Sequence, residues 1–287
     1  MDSYKEDTEK TKIICRVCPH ECALEVGQTG MCRGRVNKDG MIKPLNYGYL
    51  TALALDPIEK KPLARFMSGS SILSVGSFGC NMRCSFCQNY EISQTGAGSN
   101  LRVKKMNPKE LVELALELQN TDNNIGIAFT YNEPLIDYEF VRDTARLSSE
   151  QGLVNVVVTN GCINQDILEE VLPYIDAFNV DLKAYTKEAY KSMAGDLDTV
   201  KNFIEKAAQK SHVEVTSLIV PSINDTEEDM EREARWLSGI SPEIVLHITR
   251  FFPRYKMDNA EPTDIGTMKK LKETALKYLK YVYLGNV

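Results

Sequence analysis

From Ile72 onward, short apolar runs alternate with longer segments of helical period. Six runs predict strands: ILSVGSF (72–78), IGIAFTY (125–131), LVNVVVTN (153–160), AFNVDLK (177–183), VEVTSLIV (213–220) and EIVLHITRF (243–251). Each is short and apolar, and most are rich in β-branched residues, as buried strands are. The segments between them are amphipathic. In NPKELVELALELQN (107–120), Asn107 is placed to cap, Pro108 takes the first helical position, and Leu111, Leu114, Ala115 and Leu118 form one apolar stripe. TEEDMEREARWLSG (226–239) opens on Thr226 with acidic residues in its first turn and closes on Gly239. GTMKKLKETALKYLK (266–280) predicts a last helix, and YVYLGNV (281–287) a seventh, terminal strand.

Six strand–helix units predict an α/β fold with a parallel sheet and right-handed crossovers. An incomplete barrel and an open wound sheet both satisfy that pattern. Residues 1–70 do not share it. They hold four cysteines, six glycines (Gly27, Gly30, Gly34, Gly40, Gly48, Gly69) and short strand-like pieces. The chain therefore divides into a cysteine-rich, metal-binding region over 1–70 and the α/β domain over 71–287.

With 43% hydrophobic and 26% charged residues, the composition is that of a soluble globular protein. The net charge of −6 weighs against a nucleic-acid partner, since phosphate binding wants a basic face. No run reaches the roughly 18 apolar residues of a membrane span. The polar opening MDSYKEDTEKTK lacks an apolar signal segment. A cytoplasmic, reducing location without a membrane partner is expected. That changes the meaning of the eight cysteines, because clustered thiols in a reducing compartment are metal ligands or catalytic groups rather than disulfides.

Cys80, Cys84 and Cys87 follow the strand 72–78 directly, at the end of a parallel strand where α/β folds carry their chemistry. Structural zinc takes four protein ligands, and only three thiols are local here. Three thiolates hold three irons of a [4Fe–4S] cube and leave the fourth open. A zinc ion completed by a distant cysteine such as Cys162 is the alternative.

The spacing Cys80-x3-Cys84-x2-Cys87, with Phe86 before the last cysteine, resembles the radical S-adenosylmethionine (SAM) superfamily. The resemblance implies a partial (β/α)6 TIM-like barrel. It also implies a [4Fe–4S] cluster whose open iron chelates the amino and carboxylate groups of SAM. One electron then cleaves the sulfonium C–S bond, and a 5′-deoxyadenosyl radical abstracts hydrogen from a substrate. An electron donor such as flavodoxin or ferredoxin is implied by the same chemistry.

The other strand ends extend the resemblance. TYNEP looks like a variant of the family's Gly-Gly-Glu-like motif, so Asn132 and Glu133 are expected near the SAM ammonium; capping of the next helix is the simpler role. TNGC is similar to the Asp-Thr-Asn-Gly segment of pyruvate formate-lyase activating enzymes, with Val158 in the Asp place. That departure puts the segment's cation site in doubt and leaves Asn160 as the SAM contact. Asp181 and Lys183 share a strand face and match the Asp-x-Lys motif; a buried structural ion pair is the other reading. His247, Arg250 and Tyr255 in HITRFFPRYK are candidate SAM or substrate contacts. Cys162 is a candidate hydrogen donor if its thiol faces the cleft, and otherwise a small buried residue.

Cys15, Cys18, Cys22 and Cys32 are enough to close around one metal. Zinc is slightly preferred over a second [4Fe–4S] cluster, and His20 is a possible substitute ligand. With CRVCPHEC, DPIEKKPLARF, IVPSINDT and YVYLGNV added, residues 13–287 resemble the AmmeMemoRadiSam-system subgroup, grouped as pyruvate formate-lyase activating enzyme-like. The expected function is hydrogen abstraction from an unidentified small molecule or peptide. A glycyl-radical-enzyme activase comes second, because 88–106 carries no cysteine for a further cluster. A non-catalytic Fe–S or zinc scaffold and a tRNA-modifying enzyme follow.

Overall fold

The computed structural model describes residues 12–287. The opening segment 1–11, which carries most of the export-signal argument, lies outside them. The N-terminal part is a set of small hairpins: β1 (Ile13–Ile14) pairs with β2 (Ala23–Leu24), and β3 (Arg35–Lys38) with β4 (Met41–Pro44). β5 (Tyr49–Leu50) precedes β6 (Ala52–Pro57) and β7 (Ser71–Gly76), and later pairs with β8 (Lys104–Lys105). A short α1 (Tyr90–Ser93) follows the cysteine loop. Then come α2 (Pro108–Asp122), β9 (Asn124–Phe129), α3 (Tyr138–Glu150), β10 (Val154–Thr159), α4 (Gln165–Val171) and β11 (Ala177–Asp181). The chain ends with α5 (Lys187–Ser192), α6 (Leu197–Ala207), β12 (His212–Ile219), α7 (Glu227–Ile240), β13 (Val245–Arg250), α8 (Ile265–Ala275) and β14 (Tyr281–Gly285).

Local chemistry explains the boundaries. Asn107 and Glu110 cap α2 reciprocally, each side chain taking the other's backbone N–H at 3.0 and 2.7 Å. Thr226 caps α7 through the Asp229 N–H. The predicted strand 125–131 stops at Phe129, and Tyr131 adopts the left-handed φ of 73°.

One eight-stranded sheet runs in the order β14-β13-β12-β11-β10-β9-β7-β6. Every neighbouring pair from β7 to β14 is parallel, and β6 is antiparallel to β7. The sheet curls, so that residues from both halves of this order line a common cavity. The fold is thus a partial (β/α)6 TIM-like barrel, open between β14 and β6. Side chains alternate accordingly. Leu73, Val75, Phe129, Val157, Phe178, Val180, Val215 and Ile248 face the helices in the main core. Ile72, Ala128, Val156 and Ala177 face inward.

The strand Ala52–Pro57 and the segment after it, which lie within the expected 1–70 region, pack with the main sheet. β6 is a strand of the main sheet, and the segment after it fills the barrel's lower end. Ile58 and Leu63 are fully buried against the inward-facing residues, worth roughly 1.5–3 kcal/mol each. The Ala64 and Arg65 N–H groups donate to Glu214 of β12, and the Arg65 guanidinium lies 3.7 Å from the centre of the Tyr281 ring of β14. A short strand that pairs backwards has the same sequence pattern as a hairpin strand, which is why 52–70 read as part of the cysteine-rich region.

Candidate active site

The loops at the C-terminal ends of the parallel strands enclose a cavity of about 280 Å³. Cys80, Cys84 and Cys87 line it, and so do Phe86, Asn132, Glu133, Asn160, Asp181 and Lys183. The nine residues come from four different loops and strand ends, and the fold brings all of them together.

The loop after β7 begins at Gly79, with φ +85°. A Cβ there would stand 2.6 Å from the Cys32 carbonyl oxygen, so only glycine lets the N-terminal segment approach this closely. Asn132 staples the next loop to it. Its Oδ1 accepts from Ser77 N at 2.9 Å, and its Nδ2 donates to the Phe78 and Gly79 carbonyls. Asn160 bridges to the cysteine loop, donating to Asn81 Oδ1 at 2.9 Å and to Cys80 Sγ at 3.6 Å.

Glu133 is buried, and its oxygens are already engaged. Oε1 accepts from Thr159 Oγ1 at 2.8 Å and Leu135 N at 3.0 Å, and Oε2 from Asn160 N at 2.8 Å. Burial pushes its carboxyl up to about 7, against those three hydrogen bonds. It caps the following short helix and also holds the Thr159–Asn160 strand end. Asp181 and Lys183 form an ion pair at 2.8 Å on the cavity wall. Burial alone would lower the lysine, but Asp181 and the Cys84 thiol raise it.

The three thiols suit a cluster. Burial raises Cys80 well above the ordinary thiol range, and the Glu133 charge adds to it. Burial pushes Cys84 up to about 11, with Lys183 opposing. Thiolates crowded in such a site are stable when a cationic metal centre compensates their charge. Among the described residues, no three His, Cys, Asp or Glu side chains converge on a single ion. A cube asks for something else: each thiolate binds a different iron, so the ligands surround a body. Three local thiols lining one cavity fit a [4Fe–4S] cluster with one iron left to a ligand.

The remaining candidates are not brought to this cavity. His247 faces into the barrel but sits at its base, 2.5 Å from Glu214. Glu214 also takes His212 and two backbone N–H groups, a closed structural network. Arg250 donates Nε to the Thr263 carbonyl, and Tyr255 stacks on Tyr90 with centroids 4.6 Å apart. Cys162 is fully buried and absent from the cavity wall, and burial pushes its thiol up to about 12. It does not face the cleft as a hydrogen donor must. Conversely, Gln94, Tyr131, Thr216, Thr249 and Asn286 line the cavity unforeseen. Strand alternation would have found Thr216 and Thr249; the other three sit on irregular backbone with no local signal.

The radical SAM superfamily model matches residues 74–237. An uncharacterized protein of Methanocaldococcus jannaschii is 37% identical over 99% of this chain and 84% of its own length. The pyruvate formate-lyase-activating enzyme of Clostridium pasteurianum is 28% identical over 75% of this chain and 92% of its own. Among solved structures, a radical SAM methyltransferase from Sphaerobacter thermophilus superposes with a TM-score of 0.57 at 15% identity, covering 76% of this chain and 67% of that one.

Proposed function

Because the chain belongs to the radical SAM superfamily, in the part that includes the pyruvate formate-lyase activating enzymes, we propose that this radical SAM enzyme takes a hydrogen atom from a small molecule or peptide. One observation carries the reading: three cysteines and six polar or aromatic residues from separate strand ends line a single cavity. Bound there, a [4Fe–4S] cluster and SAM supply one-electron cleavage of a C–S bond and a 5′-deoxyadenosyl radical.

The chain's own residues do the rest. Cys80, Cys84 and Cys87 hold the cluster. Asn160 and Asn132 fix the loop on which those cysteines sit. Glu133 fixes Asn160 and, through it, Asn81 and Cys80 of the cysteine loop. The Asp181–Lys183 pair presents a fixed acceptor and donor to a polar cofactor. Phe86, 2% exposed, keeps water from the cavity wall.

An electron donor such as flavodoxin or ferredoxin supplies the reductant. The unbridged thiols favour a cytoplasmic location, and among the described residues no helix is long and apolar enough to cross a membrane. Of the two centres expected at the N-terminal thiols, zinc or an auxiliary cluster, the absence of convergence on a single ion among the described residues favours the cluster. The second reading, a glycyl-radical-enzyme activase, draws support from the Clostridium relative's name, a pyruvate formate-lyase-activating enzyme: the substrate is then another protein.

The test is anaerobic reconstitution with iron, sulfide, dithionite and SAM. 5′-Deoxyadenosine and methionine are expected from the native chain and not from a C80A/C84A/C87A variant. A reconstituted native protein that leaves SAM intact would sink the reading.

A further inference from the structure

The N-terminal thiols are not on a remote appendage. The β1–β2 hairpin brings Cys15 and Cys22 together, Cys15 N donating to the Cys22 carbonyl at 3.0 Å. A second turn carries Cys32, with Arg33 N on the Gly30 carbonyl at 2.9 Å and Gly30 itself against Cys22 Sγ. Cys15, Cys18 and Cys32 are buried, Cys22 is half-buried, and none is in a disulfide. The Cys18 thiol lies within electrostatic reach of Cys32, Cys162 and Cys15.

Several contacts between these turns and the active-site loops fall on, or within two residues of, an N-terminal cysteine. Cys80 N donates to the Cys32 carbonyl at 3.1 Å. His20, between Cys18 and Cys22, meets the Asn81 carbonyl through Nε2 at 2.8 Å. The Arg83 guanidinium donates to the carbonyl of Met31, next to Cys32. Asn164 donates N to Val17 O and Nδ2 to Arg16 O, both between Cys15 and Cys18. Cys32 is therefore two-sided. Its sulfur belongs to one thiol group, and its carbonyl holds the backbone of the first cysteine of the other.

We propose that Cys15, Cys18, Cys22 and Cys32 surround an auxiliary [4Fe–4S] cluster rather than converge on a single ion, and that its occupancy positions the Cys80 loop through the Cys32 carbonyl, so that the two clusters load as a coupled pair. The inference rests on the radical SAM reading of Cys80, Cys84 and Cys87. Metal closure of the N-terminal turns fixes the φ/ψ angles of Cys32, and with them the direction of its carbonyl. The Cys80 N–H follows through one hydrogen bond. Coupling of this kind is reciprocal: the cluster must tighten the N-terminal metal by the factor by which that metal tightens the cluster, typically about 5- to 150-fold.

The experiment uses the full chain, loaded anaerobically with iron and sulfide. Three variants are compared with the native protein: C15A/C18A, C80A/C84A/C87A, and H20Q, which keeps all eight thiols and removes one contact. Metal content, chelator competition and the electron paramagnetic resonance spectrum of the reduced cluster are read, with circular dichroism as the folding check. The C80A/C84A/C87A variant is expected to retain about four irons at the N-terminal thiols. It should lose that metal to chelator about 5- to 150-fold more readily than the cluster-loaded native chain. C15A/C18A should shift the spectrum of the remaining cluster, and H20Q should weaken the mutual effect with both metals bound.

No metal in C80A/C84A/C87A overturns the site. Metal there with an unchanged spectrum in C15A/C18A overturns the coupling; if that variant fails to fold, an H20Q protein with native chelator resistance overturns it instead. A native chain with no cluster signal at all refutes the radical SAM reading, and the inference with it.

Discussion

Replacing Glu133 by glutamine changes one oxygen into an NH2 group and leaves the side-chain size almost unchanged. In the folded chain, Oε1 takes two donors and Oε2 takes one. The amide orients its oxygen toward Thr159 and Leu135, which puts its NH2 against the Asn160 N–H, donor facing donor. One buried N–H is left unpaired, at a cost of about 1–3 kcal/mol. Glu133→Ala strands the Leu135 and Asn160 N–H groups together, for roughly 2–6 kcal/mol. The loss reaches the cysteine loop, because Asn160 is the residue that donates to Asn81 and Cys80. Urea denaturation of both variants measures the stability term, and SAM-induced change in the cluster's paramagnetic spectrum measures the functional one. Both should fall, alanine more than glutamine. Native stability in Glu133→Gln, with SAM affinity alone reduced, would refute the positioning role and leave direct contact with SAM as this residue's task.

Further outcomes follow from the same structure. Burial pushes Glu233 up to about 8 from an ordinary 4.5, with the Ser217 hydroxyl only partly opposing. Its folded value lies above its unfolded one, so stability is greatest below 4.5 and is lost as pH rises toward 8; Glu233→Gln should remove about 3–4 kcal/mol of the difference between pH 5 and pH 8 in denaturation curves. Asp56→Ala leaves the buried Lys61 ammonium without its partner at 2.9 Å, a loss of about 3–5 kcal/mol, whereas Asp56→Ala/Lys61→Met should recover most of it by the same assay. Gly79→Ala adds left-handed strain of about 1–2 kcal/mol to a clash with the Cys32 carbonyl. It should loosen the N-terminal turns, seen as faster tryptic cleavage before residue 50 and reduced iron retention.

The barrel and much of the cavity wall were legible because parallel strands deliver their ends to one place. Once 72–78, 125–131, 153–160 and 177–183 are strands of one parallel sheet, Cys80, Glu133, Asn160 and Asp181 must be neighbours. Height within the barrel was not legible. His247 and Thr249 share a strand face, but two residues separate them by about 7 Å, enough to place one at the base and the other on the cavity wall. Pairing direction was also hidden, since nothing local in ALALDP says that it runs against β7. The thiol of Cys162 follows a tight turn in which Gly161 has φ +66°, and a single dihedral there decides between cleft and core.

The segment after β6 closes the barrel from below with Ile58, Leu63 and the Glu214 network. A vessel with a solid base fills and empties through its rim. With that end sealed, the cavity is reached from the side of the loops that carry the cysteines. Thirteen residues remote from the cysteine loop thereby set the direction from which the cavity is approached.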